Sequence, residues 1–214
     1  TASGKTFIAE LAMVNQAVKQ GKKAVYIVPL KALASEKYQD FSERYEELDV
    51  MMSVGDRDES GDYLETADIV IVTSEKLDSL LRHNPSWIHD IGLVVVDEIH
   101  LITSPNRGPT LEVTIARLRE LLDFQLLGLS ATISNSGELA DWLNAELVES
   151  KYRPVDLKHG IHWDNEIEFY TGNEELEEKD RGSSFKTGSE IIEDDDDKPK
   201  GEIEFLEDAH GRGS

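Results

Sequence analysis

The stretch Gly92-Leu93-Val94-Val95-Val96-Asp97-Glu98-Ile99-His100 is an apolar, β-branched run that stops on two adjacent carboxylates and a histidine. Leu93 to Val96 show no alternation of apolar and polar residues. Such a run predicts a strand buried on both faces, as in a parallel sheet covered by helices on each side. Carboxylates at the C-terminal end of that strand stand where open α/β sheets bind their ligands. Two neighbouring carboxylates are a poor structural choice unless a cation or a proton offsets their repulsion. Asp97 and Glu98 therefore predict a site.

The first six residues, Thr1-Ala2-Ser3-Gly4-Lys5-Thr6, supply its other half. They match the end of the phosphate-loop pattern G-x-x-x-x-G-K-[ST], whose opening Gly would fall just before residue 1. In that pattern Gly4 lets backbone N–H groups curl around phosphate oxygens, Lys5 reaches the β- and γ-phosphates, and the Thr6 hydroxyl binds Mg²⁺. Phe7, Ile8, Leu11, Ala12, Val14 and Val18 recur at helical spacing up to Gly21. They predict a helix whose N-terminal dipole points at the phosphates. With Asp97 as a Mg²⁺ ligand and Glu98 polarising the water that attacks the γ-phosphate, the two stretches together predict an ATP site. His100 is placed to hydrogen-bond across it. Taken alone, Gly4-Lys5-Thr6 could equally be a small-residue turn capping an ordinary helix.

The remaining elements alternate between strand and helix, which predicts an α/β fold. Ala24 to Val28 reads as a buried strand ended by Pro29, followed by a helix running to about Leu48. Val50 to Val54 and Ile69 to Val72 read as further strands. Pro29, with Lys31 at the start of its helix, is a candidate phosphate contact, although a proline-initiated helix with a solvated lysine satisfies the bare sequence better. Thr73 or Ser74 suits the N-cap of a helix through Arg82, and the same hydroxyl could meet a phosphate. Arg107-Gly108-Pro109 opens a long amphipathic helix. Gln125 to Leu129 reads as a strand ending at Ser130-Ala131-Thr132, small hydroxyl residues suited to coupling phosphate state to movement or simply to a turn. A short helix is expected over residues 137–143 and a strand over 145–148.

The character changes after residue 153, which sets expected regions of 1–153 and 154–214. Of 44 acidic and 22 basic residues, 25 and 15 precede residue 154, so the tail is the denser in charge. A net charge of −22 argues against broad phosphate binding, which needs clustered Lys and Arg. Any nucleic acid must be held by a few placed groups. A host with high internal salt would account for the acidity, and so would an acidic tail alone. The absence of cysteine excludes disulfides and thiolate metal sites and makes a reducing, cytoplasmic location the default. No apolar run is long enough to span a membrane, and no signal segment opens the chain. Glu166-Ile167-Glu168-Phe169 recurs as Glu202-Ile203-Glu204-Phe205, two segments that could pair as strands. Much of the acid-rich segment 172–201 is expected to be disordered. Asp194 to Lys198 resembles an engineered cleavage sequence, though a natural acidic insertion is favoured, and Gly211 to Ser214 resembles a cloning scar. Because it starts inside a motif and lacks an initiator Met, the chain reads as a fragment.

Residues 1–6, 29–34, 73–76, 97–100 and 130–132 stand in the order and spacing of the superfamily 2 DExH-box helicases, which the chain resembles over residues 1 to about 157. Residues 94–102, 107–119 and 128–143 most resemble the superkiller-like branch, in particular the archaeal DNA repair helicases related to the helicase part of polymerase theta. The resemblance implies most of a RecA-like motor domain without its first strand. It implies that Lys5, Thr6, Asp97 and Glu98 perform the ATP chemistry, that Pro29, Lys31, Thr73 and Lys76 lie along the tracking strand, and that Ser130 and Thr132 link the two, with His100 joining the γ-phosphate to them. It further implies a monomer, with no membrane partner, that moves 3′ to 5′ on single-stranded or forked DNA at stalled forks. The family's second RecA-like domain and its arginine fingers, worth roughly 10³–10⁵ in rate, are missing, so the chain alone should be nearly inert. RNA in place of DNA, another RecA-like motor, and a non-catalytic module with the same fold remain as alternatives.

Overall fold

A computed structural model describes residues 4–55, 61–131, 133 and 135–150, together with the backbone of 159–163 and 166–170. Contacts divide the chain into two units, Ser3–Ser150 and Lys151–Ser214.

In the first unit, helix α1 (Lys5–Gln20) precedes strand β1 (Lys23–Val28) and helix α2 (Lys31–Arg44). Strands β2 (Val50–Ser53) and β3 (Ile69–Thr73) follow, then helix α3 (Ser74–His83) and strand β4 (Ile91–Val96). Helix α4 (Gly108–Leu121), strand β5 (Gln125–Gly128) and helix α5 (Ser136–Trp142) complete it. The five strands are all parallel and ordered β2-β3-β1-β4-β5.

The apolar runs of the sequence become the inner strands because both faces of the sheet are covered. Val25, Ile27, Val70, Val72, Val94 and Val96 pack on one side with Leu77 and Leu80 of α3 and Leu111, Ile115 and Leu118 of α4. The alternate residues Ala24, Tyr26, Val28, Ile69, Ile71, Leu93 and Val95 pack on the other with Ala9 and Met13 of α1 and Ala34 and Phe41 of α2. This is the period-two alternation of a strand, with both sets apolar.

Two expectations need correction. Helix α2 ends at Arg44 rather than near Leu48. Residues 145–148 form no strand; Leu147 and Val148 are exposed and pair with nothing in the sheet. The face of α1 turned inward is Ala9, Glu10, Met13 and Gln16, whereas Phe7, Ile8, Leu11 and Val18 point outward. The packing reason lies at the foot of the helix. A Cβ on Gly92 would stand 2.0 Å from Gln16 Nε2, so the glycine lets the Gln16 side of α1 press directly on β4.

In the second unit, β6 (His159–Trp163) pairs antiparallel with β7 (Glu166–Tyr170). The expected strand near residue 166 is present, but its partner is β6, immediately upstream. Residues 202–205, the segment 172–201 and residues 211–214 lie outside the described residues. Among the described residues, no helix is long and apolar enough to cross a membrane.

Candidate active site

Strand β4 ends at Val96, but its pairing with β1 carries on for one more residue, since Asp97 N donates to Ile27 O at 2.9 Å. Glu98 then takes up φ 49° and ψ 46°. That left-handed conformation costs an L-residue roughly 1–2 kcal/mol. Strain of this kind is concentrated at functional sites. The turn throws the chain into a single 3₁₀ segment, Ile99–Thr103, and leaves both carboxylates at the C-terminal end of the sheet.

Asp97 is held from two directions. Its Oδ1 accepts from Glu98 N at 3.0 Å, and its Oδ2 accepts the Tyr26 hydroxyl at 3.0 Å. Tyr26 is wholly buried in β1. Burial first, and the negative charge of Asp97 second, push its hydroxyl pKa far above the ordinary tyrosine value. It therefore remains a proton donor across the whole working pH range.

Glu98 Oε2 is buried and makes no hydrogen bond of good geometry, although His100 Nδ1 stands 3.2 Å away. That contact is an ion pair only when the imidazole is protonated. Ser130 Oγ lies 3.4 Å from the same nitrogen. Backbone bonds keep the two segments in step, Ile99 N donating to Leu129 O at 2.8 Å and Leu129 N to Val96 O at 2.9 Å. Glu98, His100 and Ser130 thus form one line from the acid pair to the end of β5.

Helix α1 runs antiparallel to the strands. Its Gln16 lies against Gly92 near the start of β4. Going back from Gln16 to Lys5 covers about 16 Å at 1.5 Å per residue, and going forward from Gly92 to Asp97 covers about the same at 3.3 Å per residue. Lys5 and Thr6 therefore sit at the Asp97 end of the sheet. Gly4 caps α1 with φ 75° and no side-chain cap, leaving the first-turn amides for an anion.

The oxygen donors suit a small hard cation. Thr6 and Asp97 supply a hydroxyl and a carboxylate, and the unmet Glu98 Oε2 calls for water or positive charge nearby. Among the described residues no three His, Cys, Asp or Glu cluster as a metal cage. Mg²⁺ takes one or two protein ligands and fills its shell with water and phosphate oxygens. Thr1, Ala2, Ser3 and Thr132 lie outside the described residues.

Of the positions expected along a nucleic-acid strand, Lys31 is exposed at the start of α2 and Pro29 is half-buried beside it. Thr73 and Lys76 stand at the start of α3. Their side chains are buried, at 4% and 3% exposure, and the Thr73 hydroxyl accepts Lys76 N at 3.4 Å as the cap of α3. Sequence reading also missed three residues. Tyr26 could have been noticed, because a hydroxyl inside a buried apolar strand needs a partner. Glu10, buried on α1, accepts Arg44 Nη1 and, at 2.9 Å, the Tyr45 hydroxyl, tying α1 to the end of α2. Arg107 lines a cleft with Pro29, Ser74, Asp97 and Glu98.

A parallel sheet with a glycine-capped helix and an acidic pair at the same end defines a RecA-like α/β domain. The chain belongs to the DEAD/DEAH box helicase family, whose sequence pattern matches residues 1–139. It is 50% identical over 198 residues to the ATP-dependent DNA helicase Hel308 of Methanococcus vannielii, covering 89% of this chain and 25% of that protein. It is 47% identical to Hel308 of Pyrococcus horikoshii, covering 96% of this chain and 28% of that one. The latter alignment carries the likeness well past residue 157, where the sequence reading had ended it. Among solved structures, the DUF1998 helicase MrfA bound to DNA and AMPPNP superimposes with a TM-score of 0.59 and 25% identity, over 70% of this chain and 24% of that one. The chain thus spans about a quarter of the length of these curated relatives.

Proposed function

We propose that this chain is the ATP-binding motor portion of an ATP-dependent DNA helicase that hydrolyses ATP to move 3′ to 5′ along single-stranded or forked DNA. The observation that carries this reading is Glu98, held in a left-handed turn beside Asp97 with a buried carboxylate oxygen left unsatisfied. In this reading residues 1–6 cradle the phosphates and Lys5 neutralises the β- and γ-phosphates. Thr6 and Asp97 hold Mg²⁺, which when bound offsets charge on the phosphate oxygens. Glu98 orients and deprotonates the attacking water. His100 and Ser130, with Thr132, relay the state of the γ-phosphate towards the strand-binding surface, where Pro29 and Lys31 meet the backbone of the nucleic acid. Thr73 and Lys76, at the start of α3, lie along the same strand. The protein works in the cytoplasm as a monomer, with a second RecA-like domain in the same chain supplying the remaining transition-state charge.

ATP turnover by the full-length protein tests the proposal. Single-stranded DNA should stimulate it more than RNA, forked DNA with a 3′ single strand should be unwound, and Lys5→Ala should abolish both activities. Stimulation by RNA alone, or an unaffected Lys5→Ala variant, would overturn it. The 214-residue chain by itself should hydrolyse ATP at least ~10³-fold more slowly, since an arginine finger from the second motor domain is worth about that much.

A further inference from the structure

Resting on the ATP and Mg²⁺ reading above, we infer that Tyr26 is a positioning residue for the metal-binding carboxylate: its hydroxyl on Oδ2 and Glu98 N on Oδ1, each at 3.0 Å, lock the rotation of Asp97. An aspartate carboxyl otherwise turns freely, because its terminal torsion is broad and roughly two-fold. With one donor on each oxygen, the rotation is fixed, and so are the lone pairs left for a cation.

The surroundings favour this over a packing role. Tyr26 sits mid-strand, in register with Ile71 on β3 and Val95 on β4. Its ring meets Phe41 edge-on at 5.5 Å and 83°. Phenylalanine would fill that space equally well and would not have to desolvate a hydroxyl. The hydroxyl is the one part of the residue that core packing does not explain, and it reaches Asp97, 71 positions along the chain. An outer partner that orients a ligating carboxylate generally contributes 10- to 100-fold to metal affinity.

The test is a Mg²⁺ titration of fluorescent ATP-analogue binding to the full chain, comparing the parent with Tyr26→Phe and Phe41→Leu. Tyr26→Phe should raise the Mg²⁺ midpoint about tenfold while leaving Mg²⁺-free nucleotide affinity and far-UV dichroism unchanged. Phe41→Leu should lower the melting temperature without moving the midpoint. A Tyr26→Phe midpoint within about twofold of the parent would overturn the inference and leave the ATP reading standing. A parent with no Mg²⁺-dependent binding would overturn both. Should Tyr26→Phe fail to fold, 3-fluorotyrosine can be incorporated at all six tyrosines. The fluorine resonance that Asp97→Asn shifts must then move when Mg²⁺ and nucleotide are added; a resonance that stays put overturns the inference.

Discussion

At the scale of single residues, the site depends on conformations that are costly unless used. Glu98 pays for its left-handed backbone with nothing visible in the core, since its side chain is only half-buried and makes no hydrogen bond of good geometry. Replacing it by glutamine keeps shape and volume but removes the base. In the full-length protein Glu98→Gln should cut ATP turnover at least ~100-fold while ATP still binds, as single-turnover and binding assays would show. Tyr26 gives a prediction of different sign. Its folded pKa lies above its unfolded value of about 10, so its contribution to stability is complete below pH ~10 and is lost as pH rises further. Urea unfolding between pH 10 and 11.5 should show the parent losing roughly 1.4 kcal/mol per pH unit more than Tyr26→Phe. Equal slopes would mean the hydroxyl is not held as described.

At the scale of elements, the turns decide more than the helices do. Gly108 opens α4 where an added Cβ would meet the Ile102 carbonyl oxygen at 2.0 Å and its carbon at 2.8 Å, both backbone atoms that cannot swing aside. Gly108→Ala should cost roughly 1–3 kcal/mol in chemical denaturation, by overpacking. Thr73→Val, nearly isosteric, removes the α3 cap and should cost about 1 kcal/mol. The same scale shows what could be read beforehand. The strands were legible because residues 24–28, 69–72 and 93–96 are continuous apolar runs, a pattern that only a two-sided sheet satisfies. Gly4 at the head of α1, and Asp97 and Glu98 just past the end of β4, were legible as positions from spacing and from the apolar run before them. The inner face of α1 was not, because helical spacing marks amphipathicity without saying which side meets the sheet; close approach at Gly92 decided that. Apolar residues 145–148 misled because a short run proves a strand only when a neighbour offers hydrogen bonds. The partners of Tyr26 and Glu10 lie 71 and 34–35 positions away, beyond any local pattern.

At the scale of the whole molecule, two surface properties oppose each other. Phe7, Ile8 and Leu11 are 58%, 57% and 54% exposed on one side of α1, an apolar patch of the kind that drives association. A net charge of −22 pushes copies apart, and salt screens that repulsion with a Debye length of about 10 Å at 0.1 M. Sedimentation of the 214-residue chain, apart from the full-length monomer, should therefore show more self-association as salt rises, and Phe7→Lys with Leu11→Lys should suppress it at every salt concentration. A salt-independent monomer would contradict this.

The strand order also governs time. β1 reaches its neighbour β4 only by closing a loop from Val28 to Ile91, and β5 can join only after β4 is in place. Non-local parallel pairings of this kind are paid for in chain entropy before they return any stabilisation, and they form slowly. The acid pair at the end of β4 thus comes to stand beside Tyr26 only once that long loop has closed. Until β1 and β4 have met, Asp97 lacks the tyrosine that turns it.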